Sequence, residues 1–435
     1  MVQCEDGRPG YRAHDAESLR AYAAGLPSLR ERLGGGPADW RIEEVGDGNL
    51  NLVFKLQGPA GGLAVKQALP YVRLVGESWP LPLSRAHYER QALAVEGRLA
   101  PGLVPEVLHY DETLALIAME LLEPHIIMRQ GMIAGQVYPG FVEAISDFAA
   151  RCYFLTSDLA LPAAEKKALV GAFAGNSALC KITEDLVFTE PYMAAEKNRW
   201  TAPYLDPLVA ALRGDAALKL AAMRLKLAFL SEGQALLHGD LHTGSIMLTG
   251  EDLRVIDPEF AFVGPIGFDL GALLANLLMS YFSQAGHEEA PGARAAYGGW
   301  ILEAVAGVWT RFKAKFLALW RGPEAAGDAF TPALFEGAAG GAALEGERRA
   351  YMRRLYRETL AFAGAEIVRR TLGLAHNIDF ERIEEPARRA RCEARAILLA
   401  RRLMVTPEAF PGIADLVAAA ERANGQTPVV GGEGI

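Results

Sequence analysis

HGDLHTGSI at 238–246, running into MLTGEDLRVIDPEF at 247–260, is the stretch from which the rest of the chain is read. Residues 245–248 and 253–257 are apolar, and the polar TGED at 249–252 joins them, which predicts a hairpin. A hairpin turns the chain back on itself. The loop holding Asp240 is therefore expected beside Asp257 and Glu259, three carboxylates at one site. Such a site suits phosphoryl transfer: an acceptor hydroxyl needs a positioned base, and the moving phosphoryl group needs metal charge beside it. Asp240 is the expected base. Asp257 and Glu259 are the expected ligands of Mg²⁺, a hard cation that takes oxygen donors. Each carboxylate alone would read as a turn or surface residue; the spacing of all three carries the expectation.

Upstream, residues 15–33 read as a helix closed by the glycines at 34–36. Trp40–Val45 then leads into the glycine turn GDGN at 46–49. Leu50, Leu52, Phe54 and Leu56 alternate with Asn51, Val53 and Lys55, the period of a strand. GPAGG at 58–62 turns the chain, and LAVKQ at 63–67 returns it. A helix over 84–99 follows, beginning near Ser84, and then strands over 103–110 and 113–119 about an Asp111–Glu112 turn. Past Glu120 the pattern is mostly helical apart from the one hairpin. The order predicts an α+β chain with a small N-terminal antiparallel sheet lobe and a larger, mainly helical C-terminal lobe. EGAAGGAALEGE at 336–347 reads as a surface loop, and 386–404 as a late helix with a solvated basic face.

The 435 residues exceed one small core, so two lobes are expected. A net charge of -9 disfavours a nucleic-acid partner, since phosphate backbones attract basic surfaces. The four cysteines, Cys4, Cys152, Cys180 and Cys392, form no CxxC pair, which argues against a disulfide framework or zinc site and fits a reducing cytoplasm. MVQCEDGRPGYRAHD has no apolar run of a leader. The apolar stretch near Leu270–Tyr281 is flanked by Asp269 and interrupted by Asn276, so no membrane span is expected.

HGDLH followed by hydrophobic-Asp-Pro-Glu resembles the aminoglycoside phosphotransferase and choline kinase branch of the protein-kinase-like superfamily. The fuller strings HGDLHTGSI and DPEFAFVGPIGFDLG at 257–271, with GDGNLNLVF at 46–54 and VRRTLGLAH at 368–376, resemble the methylthioribose kinase family over nearly the whole chain. That resemblance implies a bilobal protein-kinase-like fold, with residues 1–119 as nucleotide-binding lobe, 120–122 as hinge and 123–435 as catalytic and substrate lobe. It implies ATP and Mg²⁺, a small sugar acceptor phosphorylated at its anomeric hydroxyl, and a homodimer.

Gly46, Gly48 and Asn49 would lie at the nucleotide, because backbone N–H groups of a glycine turn can approach phosphates closely. Lys66 would pair with ATP phosphates and with Glu89 on the following helix; Glu77 and Glu96 are alternative partners. Glu120, Leu121 and Leu122 would present main-chain groups to adenine, and Asp257, Pro258 and Glu259 would border the nucleotide. Arg369 and Arg370, otherwise a solvated pair, become candidates for the sugar and the transferred phosphate, since a guanidinium fork bonds hydroxyls or phosphate oxygens. Ser245 replaces an Asn that commonly helps hold metal in the wider superfamily, which leaves more of that task to Asp257 and Glu259. His238, His242 and Asp269 are expected to support the loop. A related kinase for choline, homoserine or an aminoglycoside is the competing enzyme. A pseudokinase should have lost Lys66, Asp240 or the metal carboxylates.

Overall fold

The structure, a computed structural model, describes residues 9–46, 50–73, 76–426 and 428. Asp15 caps the first helix, α1 (Ala16–Ala24), by accepting from the N–H of Ser18. Gly25 ends it, and Pro27 opens α2 (Pro27–Leu33). Proline fits a first helical turn but breaks an interior one, so the single helix expected over 15–33 is two. Both bury apolar residues, Leu19 and Ala23 from α1, Leu29 and Leu33 from α2.

These helices cover one face of a five-stranded antiparallel sheet. Its strands are β1 (Arg41–Glu44), β2 (Asn51–Gly58), β3 (Gly61–Ala68), β6 (Val107–Asp111) and β7 (Leu116–Glu120), in the order β1-β2-β3-β7-β6. A short pair, β4 (Tyr71–Val72) and β5 (Gly76–Pro80), was not foreseen. The strand expected over 103–110 starts only at Val107, since Pro105 has no N–H for a ladder. Alternation sorts the sheet's two faces. Phe54, Leu56, Leu63 and Val65 enter the core under α1 and α2, while Ala68, Ala115 and Ile117 pack with Leu83 and Ala86 on the side of α3 (Arg85–Leu99). Lys66, one residue from Val65, falls on that second face.

The second part begins with β8 (Ile126–Ile127), α4 (Met128–Ile133), α5 (Phe141–Leu155), α6 (Ala163–Phe173), α7 (Ser177–Phe188), α8 (Asp206–Gly214) and α9 (Ala216–Ser231). Four short strands follow, β9 (Ala235–Leu237), β10 (Ile246–Leu248), β11 (Leu253–Val255) and β12 (Phe262–Gly264). The expected hairpin is β10–β11, with Ile246 opposite Val255. It is not alone: β8 adds to its edge, and β9 pairs with β12. Six helices close the chain: α10 (Ile266–His287), α11 (Ala295–Arg321), α12 (Gly337–Leu372), α13 (Ile378–Glu381), α14 (Pro386–Val405) and α15 (Ile413–Asn424). The order of a small antiparallel sheet and then a larger helical part is the one expected from the sequence.

Two regions depart from expectation. Residues 337–347 are not a loop but the first turns of α12. Alanine and glutamate favour helix strongly enough to carry the glycines, and Arg321 Nε fixes the segment by donating to Glu345 at 3.2 Å. The apolar stretch at 270–281 belongs to α10, whose 22 residues include an 18-residue window of mean hydropathy 1.3, long and apolar enough to cross a membrane. Its apolar window is wholly buried, so α10 is a core helix, packed against α11, α12 and α14.

Candidate active site

The 238–246 loop is built on close approach. Gly239 has φ +83, and a Cβ there would stand 2.2 Å from the Phe260 carbonyl oxygen, so only glycine lets this loop lie against the 257–260 loop. Asp269, at the start of α10, accepts from the N–H groups of His238 at 2.7 Å and Gly239 at 3.0 Å and from the Tyr153 hydroxyl at 2.9 Å. Its expected bracing of the loop is thus direct. Burial still raises its carboxyl to about 7. His238 is fully buried; Nε2 lies 2.8 Å from the Ile256 carbonyl, and the Asp240 N–H reaches Nδ1 at 3.3 Å. Burial lowers its pKa to about 4, so the ring is neutral, Nε2 donates and Nδ1 accepts. His242 accepts from the Gly244 N–H through Nδ1, at 3.0 Å. Ser245 is committed as well: its hydroxyl donates to the Asp240 carbonyl at 2.8 Å.

Asp240 emerges from this scaffold about one third exposed. Arg370 Nη2 donates to its Oδ1 at 3.2 Å, and His242 Nε2 lies 3.4 Å from Oδ2. Burial opposes its ionisation, but His242, Arg370 and Arg369 outweigh burial and hold the carboxyl well below the usual range. Arg370 is itself oriented by Glu366 one turn back, Nε to Oε1 at 2.6 Å. Neighbouring Arg369 is mostly buried, yet its Nε and Nη1 have no hydrogen-bond partner among the described residues. Orphaned buried donors are costly, and here they sit beside the candidate base.

The second cluster surrounds Lys66. Its ammonium bonds both oxygens of Glu89, at 2.9 and 2.8 Å, and also contacts Asp257. Glu89 is therefore the partner of Lys66. Glu96 is buried and separate, and the Glu77 side chain lies outside the described residues. Burial raises the Glu89 carboxyl, against the pull of Lys66. Asp257 holds φ +72, a left-handed backbone that costs a non-glycine residue roughly 1–2 kcal/mol, though aspartate tolerates it better than most. Ligand atoms of Glu89, Asp257 and Glu259 lie within 4.8 Å of one another. Glu89 joins the two expected metal ligands, Asp257 and Glu259, in one cation-sized space, and Asp240, expected as the base, is not part of it. The hairpin sets two loops side by side, but it does not bring Asp240 into that group. Three close carboxylate oxygens suit a hard divalent cation. Glu89 gives both oxygens to Lys66, whereas Asp257 meets it through Oδ1 alone and keeps Oδ2, which leaves Asp257 and Glu259 as the fitting ligands.

Sequence reasoning missed the residues that fix Glu259. Asn176 Nδ2 donates to its carbonyl at 2.9 Å, Asn51 Nδ2 to Oε2 at 2.9 Å, and Arg85 Nε lies 3.4 Å from the same oxygen. The signal available was Asn51, a polar residue in a strand that turns out to be buried. Arg129 was also missed; its N–H bonds the Thr243 carbonyl at 3.0 Å and its Nε the Thr243 hydroxyl at 3.1 Å. Of the remaining candidates, Gly46 sits in an exposed turn, and Gly48 and Asn49 lie outside the described residues. Glu120 ends β7 opposite Leu63 of β3, Leu121 and Leu122 follow directly with Leu122 buried, and Pro258 is buried between the two metal-ligand candidates.

Residues 41–312 match the APH phosphotransferase enzyme family. The chain is 44% identical over 410 residues to methylthioribose kinase 1 of Oryza sativa subsp. japonica, covering 94% of this chain and 95% of the relative. It is 43% identical over 413 residues to methylthioribose kinase of Escherichia coli O45:K1 (strain S88 / ExPEC), covering 95% and 98%. A choline/ethanolamine kinase family protein from Mesorhizobium loti overlays with a TM-score of 0.40 at 15% identity, covering 93% of this chain and 99% of that one. With more than two fifths of its residues shared over nearly the full length of both relatives, the chain belongs to the methylthioribose kinase family of APH phosphotransferases.

Proposed function

We propose that this chain transfers the γ-phosphoryl group of ATP to the anomeric hydroxyl of 5-methylthioribose, giving the 1-phosphate, a step of methionine salvage. The observation that carries this reading is the pairing of Arg370 with Asp240 at 3.2 Å, which joins the paired-arginine helix to the base. Asp240 accepts the proton of the attacking hydroxyl. Its low pKa makes it a weak base, and the anomeric hydroxyl, acidified by the ring oxygen, asks least of it. Arg370 and Arg369 donate to the sugar hydroxyls or to the oxygens of the moving phosphoryl group. Lys66 holds the ATP phosphates, with Gly46, Gly48 and Asn49 over them and Glu120, Leu121 and Leu122 at the adenine. Asp257 and Glu259, on either side of Pro258, would hold Mg²⁺, which when bound supplies charge to the phosphates.

In the same reading, residues 1–119 are the nucleotide lobe, 120–122 the hinge and 123–435 the catalytic lobe, and the enzyme works in the cytoplasm. A homodimer fits an exposed apolar stripe on α9, Leu220, Met223, Leu227 and Leu230, at spacings of three and four residues. Light scattering that returns a monomer at micromolar concentration would remove the dimer. The enzymatic test is ATP consumption with 5-methylthioribose beside choline, homoserine and an aminoglycoside. The expected result is turnover with the sugar alone, with one reducing end lost per ATP. A phosphorylated product that still reduces an aldehyde reagent would mean the wrong hydroxyl. Turnover confined to another acceptor would replace the assignment.

A further inference from the structure

Arg85 has no exposed side-chain surface; four of its five N–H donors bond named acceptors, and the fifth, on Nε, is left to an ion-pair contact. Nη1 bonds the carbonyls of Leu69 at 2.7 Å and Pro82 at 3.1 Å. Nη2 bonds the Leu50 carbonyl at 3.1 Å and Asn51 Oδ1 at 2.9 Å. Nε faces Glu259 Oε2 at 3.4 Å. A guanidinium has five donors in a rigid fork, so its position is fixed by the other four before it meets Glu259. Asn51 completes the device: its carbonyl oxygen accepts from Arg85 and its amide donates to Glu259 Oε2 at 2.9 Å. Both groups land on the same oxygen, which leaves Oε1 as the oxygen available to a cation.

The two first-lobe residues are separated from Glu259 by 208 positions for Asn51 and 174 for Arg85. Arg85 and Glu89 stand one turn apart on α3, so the same helix turn that holds Lys66 through Glu89 also holds Glu259 through Arg85. A buried carboxylate with a buried cation and an amide on one oxygen is neutralised and immobile on that side.

We propose that Asn51 and Arg85 are positioning residues that orient Glu259 from the other lobe, pinning Oε2 so that Oε1 is presented to the metal. The inference rests on the reading of Glu259 as a metal ligand. Hydrogen-bond partners of ligating carboxylates typically change metal affinity about 10- to 100-fold when removed.

The test is Mn²⁺ binding, followed by EPR, to the full-length protein saturated with ADP, with circular dichroism to verify folding. Asn51→Ala should weaken Mn²⁺ about 10-fold. Asn51→Asp should weaken it more, because it sets a second carboxylate against Oε2. Arg85→Lys, which keeps the charge but has three donors in place of five, should fall with Asn51→Ala. In a Glu259→Gln background, Asn51→Ala should add nothing, since it acts through Glu259. Should Asn51→Ala fail to fold, Asn51→Ser carries the same comparison. A clear loss in Glu259→Gln with none in Asn51→Ala, or fully additive losses in the double variant, overturns this inference and leaves the metal reading standing. Unchanged Mn²⁺ affinity in Glu259→Gln itself overturns the metal reading, and the inference with it.

Discussion

Around Lys66, three carboxylates, Glu89, Asp257 and Glu259, meet two cations, Lys66 and Arg85. Around Asp240, two carboxylates, Asp240 and Glu366, meet Arg369 and Arg370, with His242 beside them, its pKa lowered by burial. The first group carries one negative charge in excess, as a divalent cation requires. The second is balanced, and its unspent capacity is donor capacity, the two orphaned nitrogens of Arg369. The two adjoining loops thus carry an acceptor-rich side with the donor set of a metal site and a donor-rich side with free guanidinium N–H groups. Both are anchored on the same pair of short loops, so the difference arises from the helices that reach them: α3 for the first, α12 for the second.

The largest effect should come from Asp240→Asn. An amide takes no proton, and loss of a general base costs about 10²–10⁴-fold in rate. ATP affinity should hold, because the side-chain partners of Asp240 are Arg370 and His242 and not Lys66. Near-normal turnover would move the base elsewhere and collapse the distinction between the two sides. Next come Arg369→Ala and Arg370→Ala, expected to cost about 10²–10³-fold in kcat with little change in ATP affinity by calorimetry. Arg370→Ala has a second signature. Removing a cation favours the neutral carboxyl, so the Asp240 pKa rises and the acid limb of the kcat/KM profile shifts to higher pH. An acid limb that stays in place would separate Arg370 from the base.

The metal side should respond differently. Asp257→Asn and Glu259→Gln should raise the Mg²⁺ requirement by about 10-fold or more, Asp257→Asn the more strongly. Magnesium titrations identical to the parent in both variants would contradict the acceptor-rich assignment.

The smallest effect tests the scaffold that both sides share. His238 has a folded pKa of about 4 against an ordinary 6.5. Between those values the unfolded chain binds the extra proton, so this group's contribution is present above pH 6.5 and is lost as pH falls towards 4. The full contribution is about 3 kcal/mol, of which about 2 kcal/mol is lost between pH 7 and pH 5. Asp269, raised to about 7, has the opposite sign: its burial penalty grows as pH rises above its unfolded value. Urea unfolding of His238→Gln against the parent at both pH values isolates the histidine; an equal pH dependence in the two proteins would show that His238 is not held neutral.

Much of the local structure was legible. The β10–β11 hairpin, the β2–β3 pair and the α3 start near Ser84 follow from alternation and turn residues that act within a few positions. The exceptions were local rules in conflict. Proline at 27 divided a periodic helix, and the glycines at 337–347 suggested a loop where alanines and glutamates, continued by a buried helix, made the first turns of α12. Lys66 was legible on its strand with Glu89 as the preferred of three candidate partners, but Glu96 lies two turns on along the same helix face, so the structure made the choice. Arg85 was not legible, since nothing in RAHYERQAL distinguishes a buried arginine from a solvated one.

By itself the sequence determined the two loops and their chemistry. Gly239 permits the close approach, Asp240 and Asp257 are carried on turns, and a hairpin between them keeps the loops adjacent. These are short-range consequences of φ, hydrogen bonding and apolar alternation. Only the tertiary structure decided which carboxylates share a cation site, that Arg370 meets Asp240 across 130 positions, and that Asn51 meets Glu259 across 208. Such contacts are set by how α12 packs on α10 and how α3 lies across the sheet. Burial then selects among equally charged side chains: removed from water, each must find a partner, and the packing determines which partners are within reach.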